Sequence, residues 1–265
     1  MSMGLEDVIA AETRLSAVDG AKGALIIKGY ALDQIAGQKS FEEVARLLFT
    51  GLLDNLPDES AFAGHLGRAR ADAFALVQYM DAGILSLPPM DGMRALIARI
   101  EDGEDIETTL RLLAAPAVLL PAILRHQRGL DPIAPTPGLG HAADMLHMLT
   151  GQMTSSEVDG IGQPDNAEAW IEAALARGDR LMGFGHRIYK VRDPRADALK
   201  AAVKRMSAGS NMLPGRLKLA EAVETAALRI LQAHRPDRPL DVNVEFYTAL
   251  LLEALGFTAD AFTAV

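Results

Sequence analysis

Apolar positions along this chain recur mostly at helical spacing, three and four residues apart. Ser40-Phe41-Glu42-Glu43 has the form of a capping box, with Phe41, Val44, Ala45 and Leu48 marking one face behind it. Gly51 suits the stop of that helix. A second helical pattern covers 59–79, and Pro88-Pro89-Met90-Asp91 interrupts it, with Asp91 placed to cap a helix over 93–100. Positions 106–128 predict a long helix that Pro116 and Pro121 should kink. Further helices are expected within 138–151 and over 166–177, 195–206, 214–233 and 241–255, that of 214–233 with Pro at its first turn. Ala24–Ile27, closed by Gly29, is the best strand candidate. The polar stretch 152–164 predicts a connection, and 235–239 a loop. Alternating strand–helix units, internal repeats and long heptads are missing, so the expected class is all-α.

Composition narrows the function classes. With 49% apolar residues over 265 positions there is material for a sizeable core. A net charge of −9 argues against a nucleic-acid or membrane-surface partner. The chain has no cysteine, which excludes disulfides and thiolate chemistry and fits a cytoplasmic location. The first residues lack a basic, then apolar, leader pattern. The longest apolar run, 112–124, is short for a membrane span and carries two prolines.

Against that acidic background one basic cluster stands out: Met182-Gly-Phe-Gly-His-Arg-Ile-Tyr-Lys190, followed by Asp193-Pro-Arg195. Gly183 and Gly185 allow a tight turn that brings backbone N–H groups close to a ligand. His186 can donate a hydrogen bond or a proton near neutral pH. Arg195 offers a planar fork that matches a carboxylate. The residue types therefore point to an anion site. Simpler roles stand beside these: Arg195 could pair with Asp193 or Asp197 on a solvated face, Lys190 could be a solvated lysine, and Glu245 could merely favour a helix N-terminus. His141 and His147 are six apart and do not share a helix face, so no metal site is expected.

The motif Gly183-Phe-Gly-His-Arg-Ile-Tyr-Lys with Asp193-Pro-Arg195 resembles the signature of citrate synthases. Asp241-Val-Asn-Val-Glu-Phe-Tyr247 resembles a second segment of that family at the right distance. Weaker echoes lie at Gly29-Tyr30, Ser40-Phe-Glu-Glu-Val, Pro89-Met-Asp91 and His141-Ala-Ala to Gly151, so the likeness spans nearly the whole chain. It implies an all-α fold with a large helical domain (1–151 and 246–265, shortened relative to the family) and a smaller one (152–245). It implies an acyltransferase that condenses acetyl-CoA or propionyl-CoA with oxaloacetate, giving citrate or 2-methylcitrate and CoA. No tightly bound cofactor is implied. A homodimer or larger assembly is.

By the same resemblance His186 polarises the oxaloacetate carbonyl and Arg195 binds an oxaloacetate carboxylate. Leu181, Met182, Gly183 and Gly185 receive the adenine end of CoA, Lys190 lies near its phosphates, and Asn243 lies beside the same site. Glu245 stands where the family has an aspartate base. One added methylene moves a carboxylate by about an ångström, a misplacement that can cost roughly a hundredfold in rate. The family's enol-stabilising histidine segment should fall between Gly151 and Asn166, but that interval contains no histidine. The sequence stops at Val265, where members continue with further arginines. These departures leave an alternative, a non-catalytic or partner-dependent paralogue that binds oxaloacetate or CoA.

Overall fold

A computed structural model describes residues 12–150, 167–176, 183–185, 189, 191–208, 213–234 and 240–262. A small antiparallel sheet opens the chain: β1 (Ser16–Asp19), β2 (Ala24–Ile27) and β3 (Tyr30–Ala31), in that order. Ala17 pairs with Ile26, and Ile27 with Tyr30. The strand candidate of the sequence is therefore the middle strand. The other regular elements of the described chain are α-helices joined by turns and loops: α1 (Leu32–Ile35), α2 (Phe41–Phe49), α3 (Glu59–Phe74), α4 (Ala82–Leu85), α5 (Pro89–Ile97), α6 (Ile106–Gln127), α7 (His141–Thr150), α8 (Ala167–Ala176), α9 (Pro194–Ala208), α10 (Leu213–His234) and α11 (Val244–Ala254), together with short 3₁₀ turns.

The local signals act as their chemistry dictates. Ser40 Oγ accepts from the Glu43 N–H while Glu43 Oε2 accepts from the Ser40 N–H at 2.6 Å, which completes the capping box of α2. Asp58 and Asp105 cap α3 and α6 more simply, each accepting from a first-turn N–H, that of Ala61 and of Thr108. One expectation is corrected. Asp91 does not cap a helix over 93–100, because α5 begins at Pro89. Proline's fixed φ suits the first helical position, so the start moves upstream and Asp91 falls in the first turn, pairing with Arg94 at 3.1 Å. The pattern over 59–79 divides into α3 and a 3₁₀ turn, Ala75–Tyr79.

Helix α6 runs through Pro116 and Pro121 from Ile106 to Gln127. Polar residues at both ends extend it well past the apolar run, so among the described residues it is the helix long and apolar enough to cross a membrane. Its apolar stretch is spent on the protein's own core: Ala115, Val118, Leu119, Leu120, Ile123 and Leu124 pack with Ala73, Met93, Leu96, Met148, Leu149 and Leu252. A neighbouring cluster joins Ala45, Phe62, Leu66, Ala69, Leu110 and Ala114. The later helices build their own cluster from Ile171, Phe184, Ala196, Ala226, Ala227, Ile230, Leu231, Val242 and Tyr247. Helix α11 contributes to both: Tyr247 lies in the later cluster, and Leu252 in the one around α6.

Candidate functional site

Two segments far apart in sequence meet at one place. Gly183 and Gly185 both sit at positive φ, 91° and 80°, where side chains are disfavoured. Packing adds a second reason for glycine: a Cβ on Gly183 would lie 3.1 Å from Phe246, and one on Gly185 would lie 2.9 Å from Leu240. Between them Phe184 forms an antiparallel bridge with Val242. The Gly185 N–H donates to the Asp241 carbonyl at 2.6 Å, and the Asn243 N–H donates to the Gly183 carbonyl at 2.9 Å. Asn243 closes the junction. Its Nδ2 donates to the Gly185 carbonyl at 3.0 Å, while its Oδ1 accepts from the Glu245 N–H at 3.0 Å and caps α11.

Arg195 belongs to this junction. Its Nε donates to Asp193 Oδ1 at 3.0 Å and its Nη2 to Asp193 Oδ2 at 2.8 Å, and its guanidinium stands 5.5 Å from the Tyr189 ring centre. The acid in this pair is buried, not solvated, and it also accepts from the Val244 N–H at 3.2 Å. Asp193 therefore fixes Arg195 to the first turn of α11, the turn that carries Glu245. Burial works against the charge of Asp193, but its bonds from Arg195 hold the carboxyl below its usual range. Those bonds, less the desolvation cost, raise the basicity of Arg195, and the negative charge of Glu245 adds to the effect. The Arg195 side chain remains 35% exposed, so this cation reaches the surface from a rigid mounting. Asp197, the other suggested partner of Arg195, instead accepts from Arg192 Nε at 2.6 Å.

The structure thus brings together Gly183, Gly185, Arg195, Asn243 and Glu245 of the sequence-derived site. Leu181, Met182, His186 and Lys190 lie outside the described residues, as does the connection read at 152–164. A mixed-charge junction of this kind can hold a carboxylate by a clamped guanidinium and present a nearby carboxylate at a helix start. No group of three or more metal-ligating side chains gathers among the described residues.

A second polar centre was not read from the sequence. Arg70, wholly buried in α3, donates from Nε to Asp144 Oδ2 at 2.6 Å and from Nη2 to the Leu139 carbonyl at 2.6 Å. Its Nη1 lies 3.4 Å from Nδ1 of His141. The His141 ring stacks on Phe41 at 4.3 Å, and its backbone N–H donates to Glu42. Burial, and then the Arg70 charge, push the imidazole pKa down to about 4, so His141 is neutral at pH 7. Ser40, Glu42, Glu43, Arg46, Gly138 and Gly140 help to line a cleft of about 370 Å³ beside this centre.

Comparison with known proteins gives these features a family. A family model described as "Citrate synthase, C-terminal domain" matches in two segments, residues 4–161 and 157–265. The citrate synthase of Acidithiobacillus ferridurans is 27% identical over 338 aligned residues, covering 99% of this chain and 86% of the relative. A 2-methylcitrate synthase of Mycobacterium tuberculosis is 28% identical, covering 77% of this chain and 69% of the relative. Citrate synthase from Thermotoga maritima superposes with a TM-score of 0.77 at 22% identity, over 100% of this chain and 87% of the other. The enzyme from Thermoplasma acidophilum, solved as a ternary complex with carboxymethyl coenzyme A and oxaloacetate, gives 0.78 at 20% identity, over 100% of this chain and 87% of the other. The chain belongs to the citrate synthase family. The longer alignment exceeds the 265 residues present here, so that relative carries segments with no counterpart in this chain.

Proposed function

We propose that this protein is a citrate synthase-like acyltransferase that joins an acyl-CoA to oxaloacetate. A carboxylate removes a proton from the carbon next to the thioester, the resulting enolate or enol attacks the ketone of oxaloacetate, and water releases CoA from the new citryl thioester. His186 polarises the ketone, Arg195 holds a carboxylate of oxaloacetate, and Glu245 is the base. Leu181, Met182, Gly183, Gly185, Lys190 and Asn243 form the CoA side. The observation that carries this reading is the convergence of the 183–195 and 241–247 segments, with Asn243 bonded to both glycine carbonyls and Arg195 tied through Asp193 to the helix of Glu245. Fixing the clamp and the base on one support supplies orientation before reaction.

The test is a titration with oxaloacetate, followed by an assay of CoA release from acetyl-CoA and from propionyl-CoA. Wild type should bind oxaloacetate, and His186→Ala and Arg195→Lys should each weaken binding by about tenfold or more. Lysine leaves buried Asp193 a cation but removes the two-pronged fork. A wild-type protein indifferent to oxaloacetate would end this assignment.

A second reading has its own support. The family match breaks into two segments meeting at 157–161, inside the interval that contains no histidine. That favours a protein that binds oxaloacetate or CoA and turns over slowly, or only with a partner chain. Binding without CoA release would select it. The chain's lack of cysteine supports a cytoplasmic setting, and we expect at least two copies per assembly, which light scattering at micromolar concentration will decide.

A further inference from the structure

We propose that Glu224 is a positioning residue that sets the glycine turn and Arg195 against the start of α11. It lies on α10, 5% exposed, away from the junction itself. Its Oε1 accepts from Arg192 Nη2 at 2.8 Å. Its Oε2 accepts from Lys200 Nζ at 2.6 Å and from the hydroxyl of fully buried Tyr247. One carboxylate thereby ties the loop before α9, α9 itself, α10 and α11.

Two of these bonds lead to the site. Arg192 Nη1 also donates to Asp241 Oδ1 at 3.2 Å, and Asp241 Oδ1 accepts from the Val242 N–H at 3.0 Å. The Asp241 carbonyl in turn holds the Gly185 N–H. Tyr247 follows Glu245 closely on α11, so its anchored hydroxyl fixes how that helix presents the carboxylate. Burial opposes the charge of Glu224, but the bonds from Lys200, Tyr247 and Arg192 outweigh it and keep the group ionised. Glutamine cannot replace this: whichever way its amide turns, the NH₂ faces a cation, Arg192 or Lys200, where an acceptor is required.

The role in substrate binding rests on the reading of 183–195 as an oxaloacetate site; the mechanical role does not. The experiment combines residue-resolved hydrogen exchange with oxaloacetate titration on wild type, Glu224→Gln and Arg192→Gln. In Glu224→Gln the amides of Gly185 and Asn243 should exchange about tenfold faster while α6 keeps its protection, and oxaloacetate affinity should fall about tenfold. Arg192, 28% exposed at its side chain, is the gentler cut, and Arg192→Gln should speed Gly185 exchange without disturbing α10. Unchanged exchange at Gly185 and Asn243 in both variants overturns the proposal. So does an increase spread equally over α6, which would mark general stabilisation. If wild type fails to bind oxaloacetate, the substrate assignment falls, and the exchange pattern alone decides the positioning claim.

Discussion

Arg70 and Asp144, 74 residues apart, form a fully buried ion pair with Nε and Oδ2 2.6 Å apart. The guanidinium also binds the Leu139 carbonyl and approaches His141, while Asp144 Oδ1 accepts from the Thr136 N–H at 2.9 Å. The pair therefore pins the chain between α6 and α7 to α3. Its energy lies in completeness, since both ions lose water and each must be repaid by several partners.

Breaking one side should cost more than removing both. Asp144→Leu leaves an uncompensated buried guanidinium and should destabilise by about 3–5 kcal/mol. The double variant Arg70→Met, Asp144→Leu should recover most of that loss. Urea denaturation of the single and double variants measures both. A double variant no better than the sum of its singles would show that the pair adds nothing beyond shape.

His141 should make stability depend on pH. Its folded pKa is depressed from 6.5 to about 4, so between those values the unfolded chain holds a proton the folded one does not. Stability is thus full above pH 6.5 and falls as pH drops through this window, by about 3 kcal/mol in all. Glu42 and Asp144 face the ring and oppose the shift, and Arg70 reinforces it. The depressed carboxyls of Asp193 and Glu224 lose their contributions only lower, below about pH 5. Denaturation midpoints from pH 7 to 5 should therefore slope in wild type and flatten in His141→Gln.

Two glycines on α3 should respond oppositely to alanine. A Cβ on Gly67 would stand 2.2 Å from the Pro137 carbonyl oxygen, a backbone atom that cannot rotate away. The gain of about 1 kcal/mol in helix propensity is smaller than the cost of forcing two chain segments apart, so Gly67→Ala should destabilise by roughly 2 kcal/mol. At Gly64 the nearest atom is the flexible end of Arg68 at 3.9 Å. Gly64→Ala should stabilise by up to about 1 kcal/mol. Thermal midpoints of the two variants give the contrast directly.

What could be read in the sequence divides along physical lines. Local chemistry was legible. The Ser40–Glu43 box, the strand at Ala24–Ile27 and the long helix through Pro116 and Pro121 all depend on near neighbours. The Gly183–Arg195 motif was legible because glycine pairs beside cations in an acidic chain have few other uses, and Asn243 followed from resemblance. Arg70 was not legible. Its nearest charged neighbours, Arg68 and Asp72, suggest solvent, while the partners that allow its burial, Leu139, His141 and Asp144, come from a distant stretch of sequence. Glu224 is hidden for the same reason, since its partners Arg192, Lys200 and Tyr247 lie on other elements. Asp91 was misplaced because two starts were open to α5, and the prolines decided between them.

Asn243 gives the sharpest test of the junction because its side chain does two separable things. Its Oδ1 caps α11, worth about 1 kcal/mol, and its Nδ2 holds the Gly185 carbonyl, worth about as much again. Asn243→Ala loses both and should destabilise by about 2 kcal/mol. Asn243→Asp keeps the cap but turns a carboxylate oxygen toward the Gly185 carbonyl, so repulsion replaces attraction there. The aspartate variant should therefore hold α11 as wild type does and still loosen the turn. Amide exchange at Glu245 reports the cap, and at Gly185 the turn. Wild-type exchange at Gly185 in the aspartate variant would show that the side chain does not hold the turn, leaving that task to the Gly185–Asp241 and Asn243–Gly183 backbone bonds.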